Sequence, residues 1–299
     1  MLKEPVTSVI DVHTGGMSGK TGRYEKKLSD LAGLYADDAA HRALTAEQGD
    51  PIVYAVEDFR PGDHAGDLIY GITRMSPGRI GEEFFLTRGH IHARADRPEI
   101  YYGQKGTGLM QLESPEGETR IVEIGPQTIC YVPPYWIHRS INVGDEDLVM
   151  VFAYPSDSGQ DYGITRMSPG RIGEEFFLTR GHIHARADRP EIYYGQKGTG
   201  LMQLESPGGE TRIVEIGPQT ICYVPPYWIH RSINVGDEDL VMVFAYPSDS
   251  GQDYGIIEQS NGMRHRVMTD GNGGWRLADN TDYRPRTGET VETLMKRYA

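Results

Sequence analysis

The sequence predicts an all-β fold, a sandwich or barrel, with short helices near its N-terminus. Two observations lead there. Runs rich in Val, Ile, Tyr and Phe, each only a few residues long, alternate with Gly- and Pro-containing turns through residues 70–253. A unit from Tyr70 to Asp161 also recurs from Tyr162 to Asp253, identical at all 92 positions except Glu116 against Gly208. Such near-identity points to a recent tandem duplication or an assembly artefact, since stacked repeats normally diverge.

Residues 1–69 occur once. Leu28, Leu31, Leu34 and Tyr35 lie at helical spacing and predict a helix over Arg23–Tyr35, with a second short helix over Ala36–Gln48. Residues 51–58 read as a strand. His13, His41 and His64 stand singly among polar residues and read as surface groups. Within the repeat, strands are expected at Ile72–Met75, Glu83–Thr87, Ile100–Gly103, Thr128–Val132, Ser140–Val143 and Asp147–Ala153. Gly108–Glu113 and Thr119–Ile124 flank Ser-Pro-Glu-Gly, a hairpin signal. After Asp253, strands are expected over Gly255–Gln259 and Met263–Thr269, then a turn over Asp270–Gly274 and a strand from Trp275. His265 reads as part of a solvated strand, and 290–299 as a short helix. The expected division is 1–69, repeat cores 70–161 and 162–253, and a C-terminal hairpin with tail over 254–299.

A net charge of −13 and a pI near 5.2 argue against a nucleic-acid partner, which favours clustered Lys and Arg. No basic-plus-apolar leader is evident, and the longest apolar run, Leu148–Tyr154, is too short to span a bilayer. The two cysteines, Cys130 and Cys222, are one repeat position seen twice, so they form no disulfide framework. A soluble cytoplasmic protein is the expectation.

The chemistry is concentrated in Thr87-Arg88-Gly89-His90-Ile91-His92-Ala93-Arg94-Ala95-Asp96-Arg97-Pro98-Glu99, which recurs as Thr179 to Glu191. Two histidines two residues apart on a strand share a face. Glu99 follows, then Gly106, and Pro133-Pro134-Tyr135-Trp136-Ile137-His138 supplies a third imidazole. Three imidazoles and a carboxylate suit a divalent metal with positions left open. The candidate ligands are therefore His90, His92, Glu99 and His138, and in the second copy His182, His184, Glu191 and His230.

This pattern resembles the two cupin motifs. The wording TRGHIHARADRPEIYYGQKGTG and YVPPYWIHRSIN is similar to the cupin-type glucose-6-phosphate isomerases. Trp136 stands where ordinary cupins have Gly, with only Ile137 before His138, and Glu99 sits further from His92 than in most cupins; both departures match that subfamily. The resemblance implies a duplicated double-stranded β-helix (jelly-roll) barrel. It also implies interconversion of glucose 6-phosphate and fructose 6-phosphate in glycolysis and gluconeogenesis. One divalent ion per barrel is expected, Fe2+ first, with Mn2+, Ni2+, Co2+ or Zn2+ as alternatives. Aldose–ketose isomerisation needs a Lewis acid on the carbonyl and either a base or a geometry for hydride shift. Glu99 and Glu191 are candidates for ligand and base alike.

The resemblance places the substrate's phosphate at Thr73, Thr87, Gly89 and Tyr154, and in the second copy at Thr165, Thr179, Gly181 and Tyr246. It places Tyr101 and Tyr162 in the pocket, with Tyr193 and Tyr254 as their counterparts. Gln160 stands where some relatives carry His. The expected assembly is a homodimer or an intramolecular pseudo-dimer of barrels. Two rival readings use the same ligands: a metal-cupin oxygenase of the dioxygenase type, and a non-catalytic sugar-phosphate-binding cupin.

Overall fold

The protein, as a computed structural model, is described over residues 2–62, 67–155 and 160–286. His64 and the helix expected over 290–299 lie outside the described residues. Strands β1 (Val6–Asp11), β2 (Gly16–Met17) and β3 (Gly22–Lys27) lead to a 3₁₀ turn (Leu28–Leu31) and helix α1 (Asp38–Gln48). The Asp37 side chain accepts the Ala40 N–H at the start of α1, and Gly49 ends it in the left-handed region. Then come β4 (Ile52–Phe59), β5 (Leu68–Met75), β6 (Arg79–Ile80), β7 (Glu83–Phe84), β8 (Glu99–Lys105) and β9 (Gly108–Glu113). The first repeat finishes with β10 (Thr119–Ile124), β11 (Ile129–Val132), β12 (Ile137–Asn142) and β13 (Leu148–Pro155).

The second repeat supplies β14 (Gln160–Met167), β15 (Arg171–Ile172), β16 (Glu175–Phe176), β17 (Glu191–Lys197) and β18 (Gly200–Glu205). It continues with β19 (Thr211–Ile216), β20 (Thr220–Val224), β21 (Ile229–Asn234) and β22 (Leu240–Pro247). Helix α2 (Gly255–Gln259) and strands β23 (His265–Thr269) and β24 (Trp275–Asp279) follow. No described helix is long and apolar enough to cross a membrane.

The chain forms two compact units, residues 10–155 and residues 2–9 with 160–286. In the first, a sheet of order β11-β8-β13-β5-β4-β3 and a three-stranded sheet β10-β9-β12 share one core. Met75, Met110, Leu112, Cys130, Val132 and Met150 from both sheets meet there, and Leu28 and Leu31 close one end. In the second unit the matching sheet is β14-β22-β17-β20, and the matching small sheet is β19-β18-β21. Gly106 and Gly198 turn both units identically: each has φ +79, and a Cβ would lie 2.5 Å from a backbone oxygen, of Asp147 or Asp239.

The strands outside the repeats are divided between the units. β3 and β4 extend the first unit beyond β5, whereas β14, the counterpart of β5, is a sheet edge. Residues 6–9 of β1 pair with β20, Val6 opposite Tyr223, whereas β11, the counterpart of β20, is a sheet edge. The hairpin β23–β24 pairs with β16, while β7 pairs only with β6 among the described residues. Identical residues therefore meet different surroundings. Ile72 is fully buried and Ile164 is 59% exposed; Ile80 is 1% exposed and Ile172 is 80% exposed. The reverse holds where β1 and α2 contribute, for Tyr131 is 38% exposed and Tyr223 is 1% exposed.

Three expectations are corrected. The helix expected over 23–35 is strand β3 and a 3₁₀ turn: Arg23–Lys26 pair with β4, and the spacing of Leu28 and Leu31 is satisfied by one i,i+3 turn. The strand expected over 255–259 is helix α2, begun where Asp253 accepts the Gly255 N–H and ended by left-handed Asn261. His41 is buried rather than superficial; its Nε2 lies 2.8 Å from the Leu28 carbonyl oxygen, and its ring stacks on Tyr35. His13 is exposed, and His265 lies half-buried on β23.

Candidate metal centres

His90 and His138 form an isolated antiparallel bridge, each N–H donating to the other's carbonyl at 3.0 Å. The bridge fixes the loop before β8 against the start of β12 and leaves the two rings 4.4 Å apart. Gly89, with φ +75, makes the turn into it. His92 follows in an irregular segment rather than a strand, yet its ring still faces the same point. Glu99 opens β8 and is fully buried, with Oε2 3.1 Å from His92 Nε2, 3.0 Å from His138 Nε2 and 4.0 Å from His90 Nε2. The Tyr101 hydroxyl donates to that same oxygen at 2.9 Å. The second unit repeats the arrangement: Glu191 Oε2 lies 3.2 Å from His184, 2.9 Å from His230 and 3.9 Å from His182. In each set the four ligand atoms lie within 4.8 Å of one another.

The ring tautomers say what these sets are built to hold. His92 Nδ1 faces the Arg97 carbonyl at 3.0 Å and His138 Nδ1 faces the Trp136 carbonyl at 3.2 Å. A carbonyl only accepts, so each Nδ1 carries the hydrogen, and a neutral ring then turns a lone pair at Nε2 toward the carboxylate. Two acceptors about 3 Å apart repel unless a positive charge joins them. Imidazolium formation relieves one such contact; a divalent cation relieves all of them at once. His184 and His230 are oriented alike by the Arg189 and Trp228 carbonyls. His182 Nε2 is buried with no hydrogen-bond partner, aimed at the same point. The donor set therefore fits a divalent metal ion.

Burial alone would raise the Glu99 pKa, but protons on His138 and His92 Nε2 outweigh it and hold the carboxyl at about 2; where both rings present lone pairs instead, a bound cation takes over that part. Glu191 is likewise held well below the carboxylate range. Burial, helped by the neighbouring His230, pushes His182 down to about 3, so it stays neutral and able to ligate. Burial, then the adjacent Glu99 charge, raises Tyr101 well above the phenol value, so its hydroxyl remains a donor; Tyr193 beside Glu191 behaves the same way.

Of the expected phosphate residues, Thr73, Thr87 and Gly89 line one cavity of about 260 Å³ with His90, His138 and Tyr101. Thr87 Oγ1 accepts the Ser140 N–H at 3.0 Å, which leaves its own hydrogen free to donate. Tyr154 is not in that lining; its ring lies 5.1 Å from His92 and its hydroxyl accepts from Arg60. Tyr162 is not in the lining either, but half-exposed on β14. In the second unit Thr165 lies on the edge strand β14, Thr179 Oγ1 accepts from Ser232, and Gly181 has φ +81. The Tyr246 ring lies 5.8 Å from His184, and the Tyr254 ring 5.7 Å from His182. Tyr254 and α2 leave His182 only 11% exposed, against 55% for His90. Sequence reading missed Tyr24, Lys26, Tyr54 and Arg88, which also line the first cavity. The signal was there in the alternation Tyr24-x-Lys26, which the helical reading of that stretch concealed.

The family model and the sequence relatives agree on one family. The family model for glucose-6-phosphate isomerase matches residues 25–164 and again 161–286. The glucose-6-phosphate isomerase of Sinorhizobium medicae (strain WSM419) is 63% identical over 161 residues, 54% of this chain and 75% of the relative. That of Thermococcus kodakarensis is 45% identical over 161 residues, 54% of this chain and 84% of the relative. Among solved structures, the Lactobacillus farciminis oxalate decarboxylase formate complex aligns with a TM-score of 0.51 at 11% identity. It covers 67% of this chain and 82% of its own, and at that identity the likeness concerns the duplicated cupin fold alone. With the family matched once in each repeat, this chain belongs to the glucose-6-phosphate isomerase family.

Proposed function

We propose that the chain interconverts glucose 6-phosphate and fructose 6-phosphate with the help of a divalent metal ion. One observation carries this reading: a three-His, one-Glu centre opens onto the same cavity as two threonine hydroxyls and a left-handed glycine. A phosphorylated sugar needs both, a group that polarises its carbonyl and donors for its phosphate. Held by His90, His92, Glu99 and His138, or by His182, His184, Glu191 and His230, the ion would supply Lewis-acid polarisation of the C1 or C2 carbonyl. Thr73 and Thr87 would donate hydroxyl hydrogens to the phosphate, and Gly89 lets the backbone approach it. Glu99, ionised throughout the working range, acts as a ligand rather than a proton carrier, and Tyr101 fixes which of its oxygens faces the centre.

Fe2+ is the proposed occupant on the family resemblance; the His₃Glu set suits manganese, nickel, cobalt and zinc as well. A place in glycolysis and gluconeogenesis, and a cytoplasmic location, belong to the same reading. So do residues 70–161 and 162–253 as two barrel cores, and a homodimer or a single-chain pseudo-dimer as the assembly. Light scattering separates the last two, at twice 33.4 kDa or at 33.4 kDa.

The test is conversion of fructose 6-phosphate by purified protein as isolated, after chelation, and after adding back iron, manganese or nickel. Activity should vanish with the chelator and return with metal. Tight metal binding with no turnover of either sugar phosphate would refute the reading.

A further inference from the structure

Both centres carry the same ligands, yet their surroundings differ on the side where a phosphate would sit. In the first unit, strand register places Thr73 opposite Val56, Val56 opposite Tyr24, and Lys26 opposite Tyr54. Residues alternate in facing along a strand, so Tyr24 and Lys26 of β3 and Tyr54 of β4 share the face that Thr73 presents. All four line the first cavity. Lys26 is half-buried there, and among the described residues no carboxylate pairs with it. Of the two acidic residues of β4, Asp58, which shares the face of Tyr54, is paired with Arg60, and Glu57, on the other face, with Lys20 and Arg23. The Arg88 guanidinium, at the cavity mouth, also has no acceptor among the described residues. In a chain of net charge −13, two unpaired cations beside two threonine hydroxyls make a site for a dianion.

The second unit has neither feature. β14 is a sheet edge, so among the described residues no strand corresponding to β3 and β4 stands beside Thr165, and neighbouring Ile164 is exposed. Arg180, the counterpart of Arg88, is paired with Glu258 and stacked over Tyr254. Arg231, the counterpart of Arg139, is buried and donates to Gln203 and to the His265 carbonyl. The C-terminal segment that encloses the second metal centre has thus occupied its cations.

Resting on the isomerase reading, we infer that the sugar phosphate binds only at the first centre, with Lys26 as an anion-binding residue, and that the second centre holds metal without substrate. The division follows from the flanks, because the repeats themselves are identical around the ligands. One substrate site and two metal sites per chain are the result.

The test is calorimetric titration of the full chain, loaded with Mn2+ at two ions per chain, with 6-phosphogluconate. This probe has the phosphate and a six-carbon chain, but its C1 carboxylate cannot isomerise. One site per chain is expected. Lys26→Ala should weaken it about tenfold or more, the usual loss for a charge-assisted hydrogen bond, and Lys26→Arg should restore most of the affinity. In turnover of fructose 6-phosphate, Lys26→Ala should raise KM by a similar factor and leave kcat within about twofold, because phosphate binding is uniform along the reaction. Two equal sites per chain, or wild-type affinity in Lys26→Ala, would overturn the inference while leaving the isomerase reading intact. No binding at all by the metal-loaded chain would sink both. If Lys26→Ala does not fold, the stoichiometry of the unaltered chain decides the question.

Discussion

Ile80 and Ile172 are the same residue in two copies of one sequence, and truncating each to alanine measures how differently the copies are clothed. Ile80 is 1% exposed and belongs to the first unit's core, against which Leu34, Ala40 and Leu44 also pack. Ile→Ala removes three carbons, about 2.4 kcal/mol of transfer free energy at ~0.8 kcal/mol each. A residual void of ~40 Å³ adds about 1 kcal/mol at ~24 cal/mol per Å³. Ile80→Ala should therefore cost ~3.5 kcal/mol. Ile172 is 80% exposed, so only about a fifth of the transfer term applies and no void forms. Ile172→Ala should cost ~0.5 kcal/mol. In urea unfolding followed by circular dichroism, an m-value of ~2 kcal/mol/M converts these into a midpoint shift of ~1.7 M for the first unit and ~0.2 M for the second. Equal shifts would refute the reasoning, for they would mean that Ile172 is covered as Ile80 is.

Other outcomes follow from the site and its supports. Tyr101→Phe removes the hydroxyl that orients Glu99, and metal affinity measured against a competing chelator should fall ~10–100-fold. Glu57 is buried and accepts from the Met17 N–H, Lys20 and Arg23, so Glu57→Gln should cost the first unit ~2–3 kcal/mol at neutral pH. Burial opposes the ionised form of Glu57, but these donors win and its pKa lies below the ordinary carboxylate value. Its contribution is thus complete above that ordinary value and is lost as pH falls through the lower folded value; the gap between variant and wild type in urea should close over that acid window. Cys130 and Cys222 are buried free thiols pushed up by burial, and by the nearby Glu99 and Glu191 charges, to about 11 and about 12. A disulfide reagent should label neither in the native chain at neutral pH and both in urea.

Much of the candidate site was legible because its residues are close in sequence or carried by short, marked segments. His90, His92 and Glu99 fall within ten residues, and the Pro-Pro turn announces His138. The barrel strands were legible for a similar reason, since each is bounded by Gly or Pro and alternates in facing. What was not legible depends on partners far away. Arg23–Tyr35 has charges and leucines spaced for a helix, but Arg23–Lys27 pairs with β4, some thirty residues on, and sequence alone does not show that edge waiting. Gly255–Gln259 reads as strand from its isoleucines, yet Asp253 accepts the Gly255 N–H just before it and Ile256 and Ile257 both find cover against Ile183, Ile229 and Met263. His41 looked superficial because its acceptor is a backbone carbonyl, which no side-chain pattern reveals. The cavity residues Lys26 and Tyr54 became visible only once β3 and β4 were in register.

The pairing of residues 6–9 with β20 has a consequence in time. Residues 128–131 of β11 and its approach read Thr-Ile-Cys-Tyr, and so do residues 220–223, the partners of Val6–Val9. A ribosome exposes the upstream edge 92 residues before the downstream one, roughly 5–18 s earlier at ~5–20 residues per second. During synthesis the N-terminal strand is therefore expected to meet a chemically identical landing place first and to leave it for the later one. A chain stalled or cleaved between the two would retain its leading strand on the earlier edge. Protease digestion of arrested nascent chains would catch that intermediate as protection of the first nine residues before Thr220 has been made.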